Sequence, residues 1–312
     1  MNILVLMDPL EKLMPQKDST LLLIKAALEN KHKITVFHPH DWFWQNGEVF
    51  ANLRAINLLD TATSSWEISS RKNISSLISF DIILMRQNPP VDAEYLYASY
   101  ALDWASNLGV VVTNRPQAIR ACNEKFAIIR FPDIITKTLV SSDREKLSEF
   151  WEEEQEVVYK PLNTFGGENV FFVGKDRKNL HVIVDILTNH GRGAIMAQKY
   201  IPEIAETGDK RILMIHGKPV PYALARIPSK KDWRGNLAQG ATGKVVALTK
   251  RDLEIAKIVA PFLISSGLHL VGLDVIGDYL TEINVTSPTC LCEIQQTTGL
   301  KIAHDYWQGF EM

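Results

Sequence analysis

The sequence predicts an α/β protein: an open parallel sheet first, then an α+β region that ends in an antiparallel sheet. Three observations carry this. Strand-like and helix-like patterns alternate through residues 1–120, as in a layered α/β domain with right-handed crossovers. Residues 79–86 (Ser-Phe-Asp-Ile-Ile-Leu-Met-Arg) are almost continuously apolar, which suits a parallel strand covered on both faces. Near the C-terminus, Val271, Leu273 and Val275 alternate with Gly272 and Asp274, while Ile283 and Val285 alternate with Glu282 and Asn284. A period of two means half-buried strands, here with an apolar face and an oxygen-bearing face.

Taken in order, residues 3–7 form a short strand ending at Asp8-Pro9, and Asp18 or Ser19 caps a helix running to about Asn30. Residues 34–37 form the next strand. Asn46-Gly47 marks a two-residue hairpin, and the aromatic residues Trp42, Phe43, Trp44 and Phe50 around it read as packing. After the strand 79–86, Pro89-Pro90 stops the chain. A helix spans 92–108, Gly109 ends it, 110–113 is a strand, and Pro116 opens another helix. The pattern changes at Asn123-Glu124-Lys125, which divides the chain into an N-terminal domain, 1–122, and a second domain, 123–312. Within the latter, a central subdomain of about 123–200 holds strands at 137–140, 157–160, 170–173 and 194–201 and helices at 142–155 and 177–190. The C-terminal subdomain, about 201–312, holds strands at 210–216 and 220–226, a helix at 249–266 and the hairpin. Residues 228–244 are polar and glycine-rich; a run of that length without structure of its own is uncommon and is often a lid or a disordered segment.

With 46% hydrophobic residues in 312, a core large enough for two or three domains or subdomains is available. A net charge of −2 argues against a nucleic-acid partner. No run of about 18 apolar residues occurs, so no membrane partner is expected. The first nine residues lack a cationic region and reach Asp8 too early for a signal peptide. Three cysteines make neither a disulfide framework nor a four-ligand zinc site, and read as free thiols in a reducing compartment.

The hairpin carries the first chemical signal. A two-residue loop at Gly277-Asp278 would pair Leu273 with Glu282 and mix the faces; a three-residue loop through Tyr279 pairs Asp274 with Glu282 and keeps the apolar rows together. The second arrangement is expected. It gathers Asp274, Glu282 and Asn284 on one face, an oxygen set that suits Mg²⁺, although the spacing equally fits a solvated sheet face. Neither a Walker A loop nor a Rossmann glycine fingerprint is present. In their place stands Lys160-Pro-Leu-Asn-Thr-Phe-Gly166-Gly167, a strand lysine followed by a glycine turn. Glycines there let backbone N–H groups approach phosphate, and the lysine adds a point charge.

These elements occur in the order of the ATP-grasp fold, and the wording resembles the bacterial glutathione synthetase family in particular. The matching segments are Met7-Asp-Pro9, Ile83-Leu-Met-Arg86 with Pro89-Pro90, Cys122-Asn-Glu-Lys125, Lys160-Pro-Leu and Gln198-Lys-Tyr-Ile-Pro202. Further ones are Gly208-Asp-Lys-Arg211, Pro221-Tyr222 with Ala225-Arg226-Ile-Pro228, Arg234-Gly-Asn236-Leu-Ala238, and Gly272–Gly277 through Thr281-Glu-Ile-Asn-Val-Thr-Ser-Pro-Thr289. The resemblance implies a pre-ATP-grasp domain followed by an ATP-grasp domain. It further implies a cytoplasmic homo-oligomeric ligase that joins γ-glutamylcysteine to glycine through an acyl phosphate, using ATP with Mg²⁺ or Mn²⁺. It assigns Lys125, Lys160 and the flap glycines Gly166 and Gly167 to the ATP phosphates. Gln198, Tyr200 and Ile201 fall to adenine and Asp209 to ribose. Asp274, Glu282 and Asn284 fall to the metal, and Arg211, Arg226, Arg234 and Asn236 to the carboxylates and the transferred phosphoryl group.

Two departures stand out. The flap has Asn163-Thr164-Phe165 where the family usually has Asp-Gly-Met, and Cys292 precedes Glu293 where the family usually has arginine. Cysteine cannot grip a carboxylate bidentately, so a weaker substrate contact is expected at that position. The alternative reading is another carboxylate–amine ligase of the same fold with a different peptide or amino acid. A non-enzymatic ATP-binding regulator is disfavoured because the lysines and metal ligands are all retained.

Overall fold

The computed structural model describes residues 1–60, 64–229, 233–235 and 240–311. It opens with β1 (Asn2–Met7), α1 (Ser19–Glu29), β2 (Lys33–Phe37), β3 (Trp42–Gln45), β4 (Glu48–Asp60), β5 (Ser65–Ile68), β6 (Asn73–Ser76), β7 (Ile82–Arg86), α2 (Ala93–Asn107), β8 (Val111–Thr113) and α3 (Pro116–Ala121). Strands β2, β1, β7 and β8 lie side by side and parallel, and every residue of β7 is buried, as its apolar run requires. Asp18 caps α1 by accepting from Leu21 N at 2.9 Å, and Asp92 caps α2 in the same way through Tyr95 N. The Asn46-Gly47 hairpin forms, both residues having positive φ, and Phe43 stacks on its cross-strand partner Phe50 at 5.5 Å. The short strands β5 and β6, which pair with β4, were not anticipated; Asn73 and the serines at 75 and 76 lack the β-branched pattern that reads as strand.

A second, antiparallel sheet follows, built from β9 (Thr138–Ser141), β10 (Val157–Pro161), β11 (Phe171–Val173) and β12 (Ile195–Lys199), with α4 (Arg144–Glu154) and α5 (Leu180–Leu187) between them. Its order is β11-β10-β12-β9. Leu147, Trp151, Val157, Tyr159, Ile183 and Ala197 form the core under the helices, which leaves the opposite face, with Val158 and Lys160, to the cleft.

The third sheet comprises β13 (Asp209–Ile215), after the single turn α6 (Ile204–Thr207), then β14 (Lys218–Ile227), β15 (Thr242–Ala247), β16 (Leu270–Ile276) and β17 (Tyr279–Asn284). Its order is β15-β14-β13-β16-β17, all antiparallel. α7 (Lys250–Ser266) covers one face, with Thr249 and Asp252 forming a capping box at its start. Strand β15 begins inside the polar run 228–244, so the end of that run is not loop: Thr242 pairs with Ile227 and Lys244 with Ala225.

The β16–β17 hairpin corrects one expectation and keeps its consequence. Asp274 does pair with Glu282, Leu273 with Ile283 and Gly272 with Asn284. The loop, however, is the two-residue one: Ile276 pairs with Tyr279 and Val275 with Leu280. A bulge at Thr281 restores the register, and the Thr281 hydroxyl donates to Asp274 O at 3.1 Å. The extra residue does what the odd loop would have done, by a route that alternation alone cannot distinguish.

The chain closes with α8 (Leu291–Thr298) and α9 (Ile302–Gln308) packed on α1, and the Trp307 indole N–H donates to Leu23 O at 2.8 Å. Beside them His216 Nε2 donates to the Tyr306 carbonyl at 2.8 Å, so its Nδ1 accepts from His269 Nδ1 at 3.0 Å. Burial first, then the neighbouring His216 and Arg115, lower the His269 pKa from 6.5 to about 4. Between those values the unfolded chain binds a proton that the folded chain does not. The stability this site provides is therefore complete above 6.5 and declines as pH falls towards 4. For a half-buried ring the loss is on the order of 2 kcal/mol. Urea denaturation at pH 7.5 and pH 5 should show that decrement shrinking in His269→Asn; an identical pH dependence in both proteins would contradict it.

Candidate active site

The two antiparallel sheets face each other across a cleft of about 420 Å³. Strand periodicity explains its chemistry. Asp209 and Arg211 share one face of β13; Asp209 pairs with Arg226 and Arg211 with Asp274, which pairs in turn with Glu282. Cross-strand partners share a face, so one row of charged side chains runs across the sheet into the cleft. Lys210, pointing the other way, is buried against Asp252 at 2.5 Å.

Arg211 grips Asp274 with two donors, Nε at 2.5 Å from Oδ1 and Nη2 at 3.1 Å from Oδ2. Gly272 makes this possible: a Cβ there would come within 2.6 Å of Arg211 Cδ. Arg226 Nη2 lies 2.6 Å from Asp209 Oδ2 and 2.9 Å from Asp274 Oδ2. Burial opposes ionisation of Asp274, but the two arginines outweigh it and hold the carboxyl well below the usual range. Burial drives Asp209 the other way, up to about 6, with Arg226 only partly offsetting it and the Asp274 charge adding to the rise. Its Oδ1 is buried and has no hydrogen-bond partner among the described residues, an acceptor left for a ligand of the cleft to fill.

Lys125 and Lys160 both place Nζ 3.8 Å from Glu282 Oε1. Burial lowers the Lys160 pKa, Glu282 opposing and Lys125 adding to the shift; an anion bound here would act in the same sense as Glu282. Lys125 also donates to the flap carbonyl of Thr164 and lies 5.4 Å from the Phe165 ring centre. The flap turn itself uses positive φ at Gly166 and Gly167, and Arg234 Nη1 donates to Gly167 O at 2.9 Å.

Beside the flap, Gln198, Tyr200 and Ile201 line the end of the cleft nearest β10 and β12. Gln198 Nε2 donates to Thr138 Oγ1 at 3.0 Å, and Tyr200 N to Glu156 O at 2.8 Å. All the residues assigned from the sequence line this one cleft except Asn236, which lies outside the described residues. Cys292 does not line it; its thiol is buried, pushed up to about 12 mainly by burial, and points to Asp18 O at 3.4 Å. The thiol thus offers the cleft no group in place of the family's usual arginine.

Sequence reasoning left several lining residues without a role: Asn88, Glu124, Thr281, Thr286, Ser287 and Trp233. Glu124 is the most consequential. Its buried Oε1 accepts from Val285 N at 2.9 Å, Thr286 N at 3.1 Å and the Thr286 hydroxyl at 2.8 Å, while its carbonyl accepts from Ile283 N at 2.8 Å. It thereby clamps β17 where Glu282 and Asn284 face the cleft. Its presence in the Asn-Glu-Lys segment was the available signal.

Glu282, about a quarter exposed at its side chain, and Asn284 offer oxygens of the kind that hard divalent cations take. Both oxygens of Asp274 already face arginines, so Asp274 would support such a cation from behind. Among the described residues no cluster of three or more His, Cys, Asp or Glu is placed to hold a metal alone. The donor set fits an ion that completes its shell with amide, water and phosphate oxygens, as Mg²⁺ commonly does.

A family model described as the prokaryotic glutathione synthetase N-terminal domain matches residues 1–120, and one described as the prokaryotic glutathione synthetase ATP-grasp domain matches residues 124–299. A glutathione synthetase of Buchnera aphidicola subsp. Acyrthosiphon pisum is 43% identical over 96% of this chain and 92% of its own length. One of Vibrio parahaemolyticus is 42% identical over 98% and 96%. Among solved structures, D-cycloserine synthetase DcsG aligns at a TM-score of 0.69 with 13% identity, covering 99% of this chain and 98% of that one. The ATP-grasp ligase PsnB with its minimal precursor aligns at 0.64 with 15% identity, covering 100% and 98%. At those identities the solved structures speak for the fold alone.

Proposed function

The chain belongs to the prokaryotic glutathione synthetase family, and we propose that the cleft between its two antiparallel sheets is where γ-glutamylcysteine is joined to glycine. The protein is an ATP-dependent ligase of glutathione synthesis. The observation that carries the assignment to this cleft is the convergence of Lys125 and Lys160 on Glu282, with Arg211 and Arg226 fixed immediately behind.

Phosphoryl transfer demands that spread negative charge be met by prearranged cations. Lys125, Lys160 and the flap amides at Gly166 and Gly167 serve the ATP phosphates. Gln198, Tyr200 and Ile201 hold the adenine, and the Asp209 oxygen without a partner among the described residues accepts from ribose. Glu282 and Asn284, with Asp274 behind, would hold a divalent cation, Mg²⁺ or Mn²⁺, which supplies Lewis-acid neutralisation of the phosphate oxygens. Arg226, Arg211, Arg234 and Asn236 orient the cysteinyl carboxylate so that one of its oxygens attacks the terminal phosphorus and ADP leaves. The glycine amine then attacks the acyl carbon, and phosphate departs with that carboxylate oxygen. An acyl phosphate is lost to water unless covered, and the polar run 228–244 is the cover in this reading; Arg234 within it donates to the flap, while 230–232 and 236–239 lie outside the described residues.

We divide the chain at 122/123, a boundary supported by the two family matches ending at 120 and beginning at 124. A cytoplasmic setting accords with a thiol substrate and with the three buried free cysteines; the homo-oligomer is proposed on the family resemblance alone. No helix of the described residues is long and apolar enough to cross a membrane. ADP release measured with γ-glutamylcysteine plus glycine, against a panel of other acids and amines, tests the substrate assignment. The named pair should exceed every other by about 10²-fold or more in kcat/KM; a faster pair would assign the cleft to a different carboxylate–amine ligation.

A further inference from the structure

We propose that Trp233 is a specificity-determining residue for the nucleobase, forming an aromatic wall of the adenine subsite. This rests on the reading that Gln198, Tyr200 and Ile201 receive the base. Trp233 and Tyr200 both line the cleft. The Trp233 ring stands nearly edge-on to Tyr200, with centres 6.3 Å apart and planes at 73°, and lies 5.9 Å from Phe172, which itself contacts Tyr200 at 4.6 Å. The three rings come from three separate elements: Phe172 from β11, Tyr200 from the segment after β12, and Trp233 from the stretch between β14 and β15.

The two residues after Trp233 fix its position, one on each side of the cleft. Arg234 donates to the flap carbonyl of Gly167 at 2.9 Å. Gly235 is pressed so closely onto β13 and β14 that a Cβ would come within 2.8 Å of Asp209 Cβ and 2.9 Å of Arg226 O. One tripeptide thus touches the base end of the cleft, the phosphate flap and the charged row. The indole is the flat, polarizable component, and Val158 and Ile201, which line the same cleft, are apolar. A purine presents two broad π faces, and stacking on an aromatic side chain changes affinity by roughly 5- to 150-fold per base. Smaller pyrimidine rings offer less overlap and gain less.

Steady-state kinetics with ATP and CTP on wild type, Trp233→Ala and Trp233→Phe, together with calorimetric titration of ADP, test this. Trp233→Ala should raise the KM for ATP and the Kd for ADP about tenfold, narrow the ATP-over-CTP preference by a similar factor, and leave the KM for γ-glutamylcysteine within about twofold. Trp233→Phe should recover most of the loss. A purely structural role would move peptide and nucleotide constants together, and would affect ATP and CTP alike; either pattern overturns the proposal, as does unchanged ADP affinity in Trp233→Ala. Failure of the wild-type protein to bind ADP or ATP would instead overturn the reading of the cleft as a nucleotide site, and the proposal with it.

Discussion

Glu282→Ala is expected to lower ATP turnover by about 10³-fold or more while leaving a folded protein. Glu282 sits at the focus of the site. Two lysine ammonium groups lie 3.8 Å away, Asp274 is its cross-strand partner, and Glu124 pins the strand just beyond it. Removing its carboxylate deletes the oxygen most open to a divalent cation and also removes the charge that opposes the burial-driven lowering of the Lys160 pKa. Both losses act on phosphate binding. The backbone ladder of β17 and the buried side chains Leu280 and Ile283 are untouched, so circular dichroism and the thermal midpoint should stay near the wild type. Glu282→Gln should behave similarly in turnover, because an amide keeps the shape but not the charge. Turnover within tenfold of wild type in both variants would remove Glu282 from the metal and phosphate site.

Arg226→Ala should damage both stability and activity. The guanidinium is 7% exposed and bridges Asp209 and Asp274. Without it two carboxylates remain buried with only Arg211 to answer them, an arrangement that typically costs about 3–5 kcal/mol. Ligation should fall by about 10²–10³-fold, the usual consequence of deleting one prearranged donor. Arg226→Lys should restore little, since the shorter lysine would fall short of the position from which Nη2 meets both carboxylates and would lack the Nε donor to Asp209 O. Asp209→Asn combined with Arg226→Ala should recover part of the stability but none of the activity. A fully stable, fully active Arg226→Lys would show that the guanidinium, with its reach and second donor, is not what matters there.

Much of this site was legible because its residues obey strand periodicity. Asp274, Glu282 and Asn284 alternate with residues the core must bury, so their common face follows once the apolar rows are matched. The two-residue turn was not legible, because a bulge at Thr281 and a longer loop satisfy the same alternation. Asp209, Arg211 and Arg226 could be named from their segments, yet their mutual contacts depend on the β13–β14 and β13–β16 registers, which join residues 17 and 63 positions apart. Glu124 was quoted without a role for the same reason: its partners, Val285 and Thr286, lie 161 and 162 residues away. Helices α8 and α9 escaped notice because they are short, at eight and seven residues, and gain their stability from packing on α1 rather than from propensity. Cys292 shows the converse limit: a departure from a family's wording says that something differs, but its buried thiol against Asp18 O had to be located before its consequence could be judged.

The account centres on a carboxylate activated by phosphoryl transfer inside this cleft, and oxygen tracing tests that step directly. γ-Glutamylcysteine labelled with ¹⁸O in its cysteinyl carboxylate is incubated with the enzyme, ATP, Mg²⁺ and glycine, and the inorganic phosphate is analysed by mass. Each turnover should deliver one carboxylate oxygen to phosphate, and Glu282→Ala should abolish that transfer together with product formation. Unlabelled phosphate accompanying full product formation would mean that ATP is cleaved by water and the amide is formed by another route, contradicting the account.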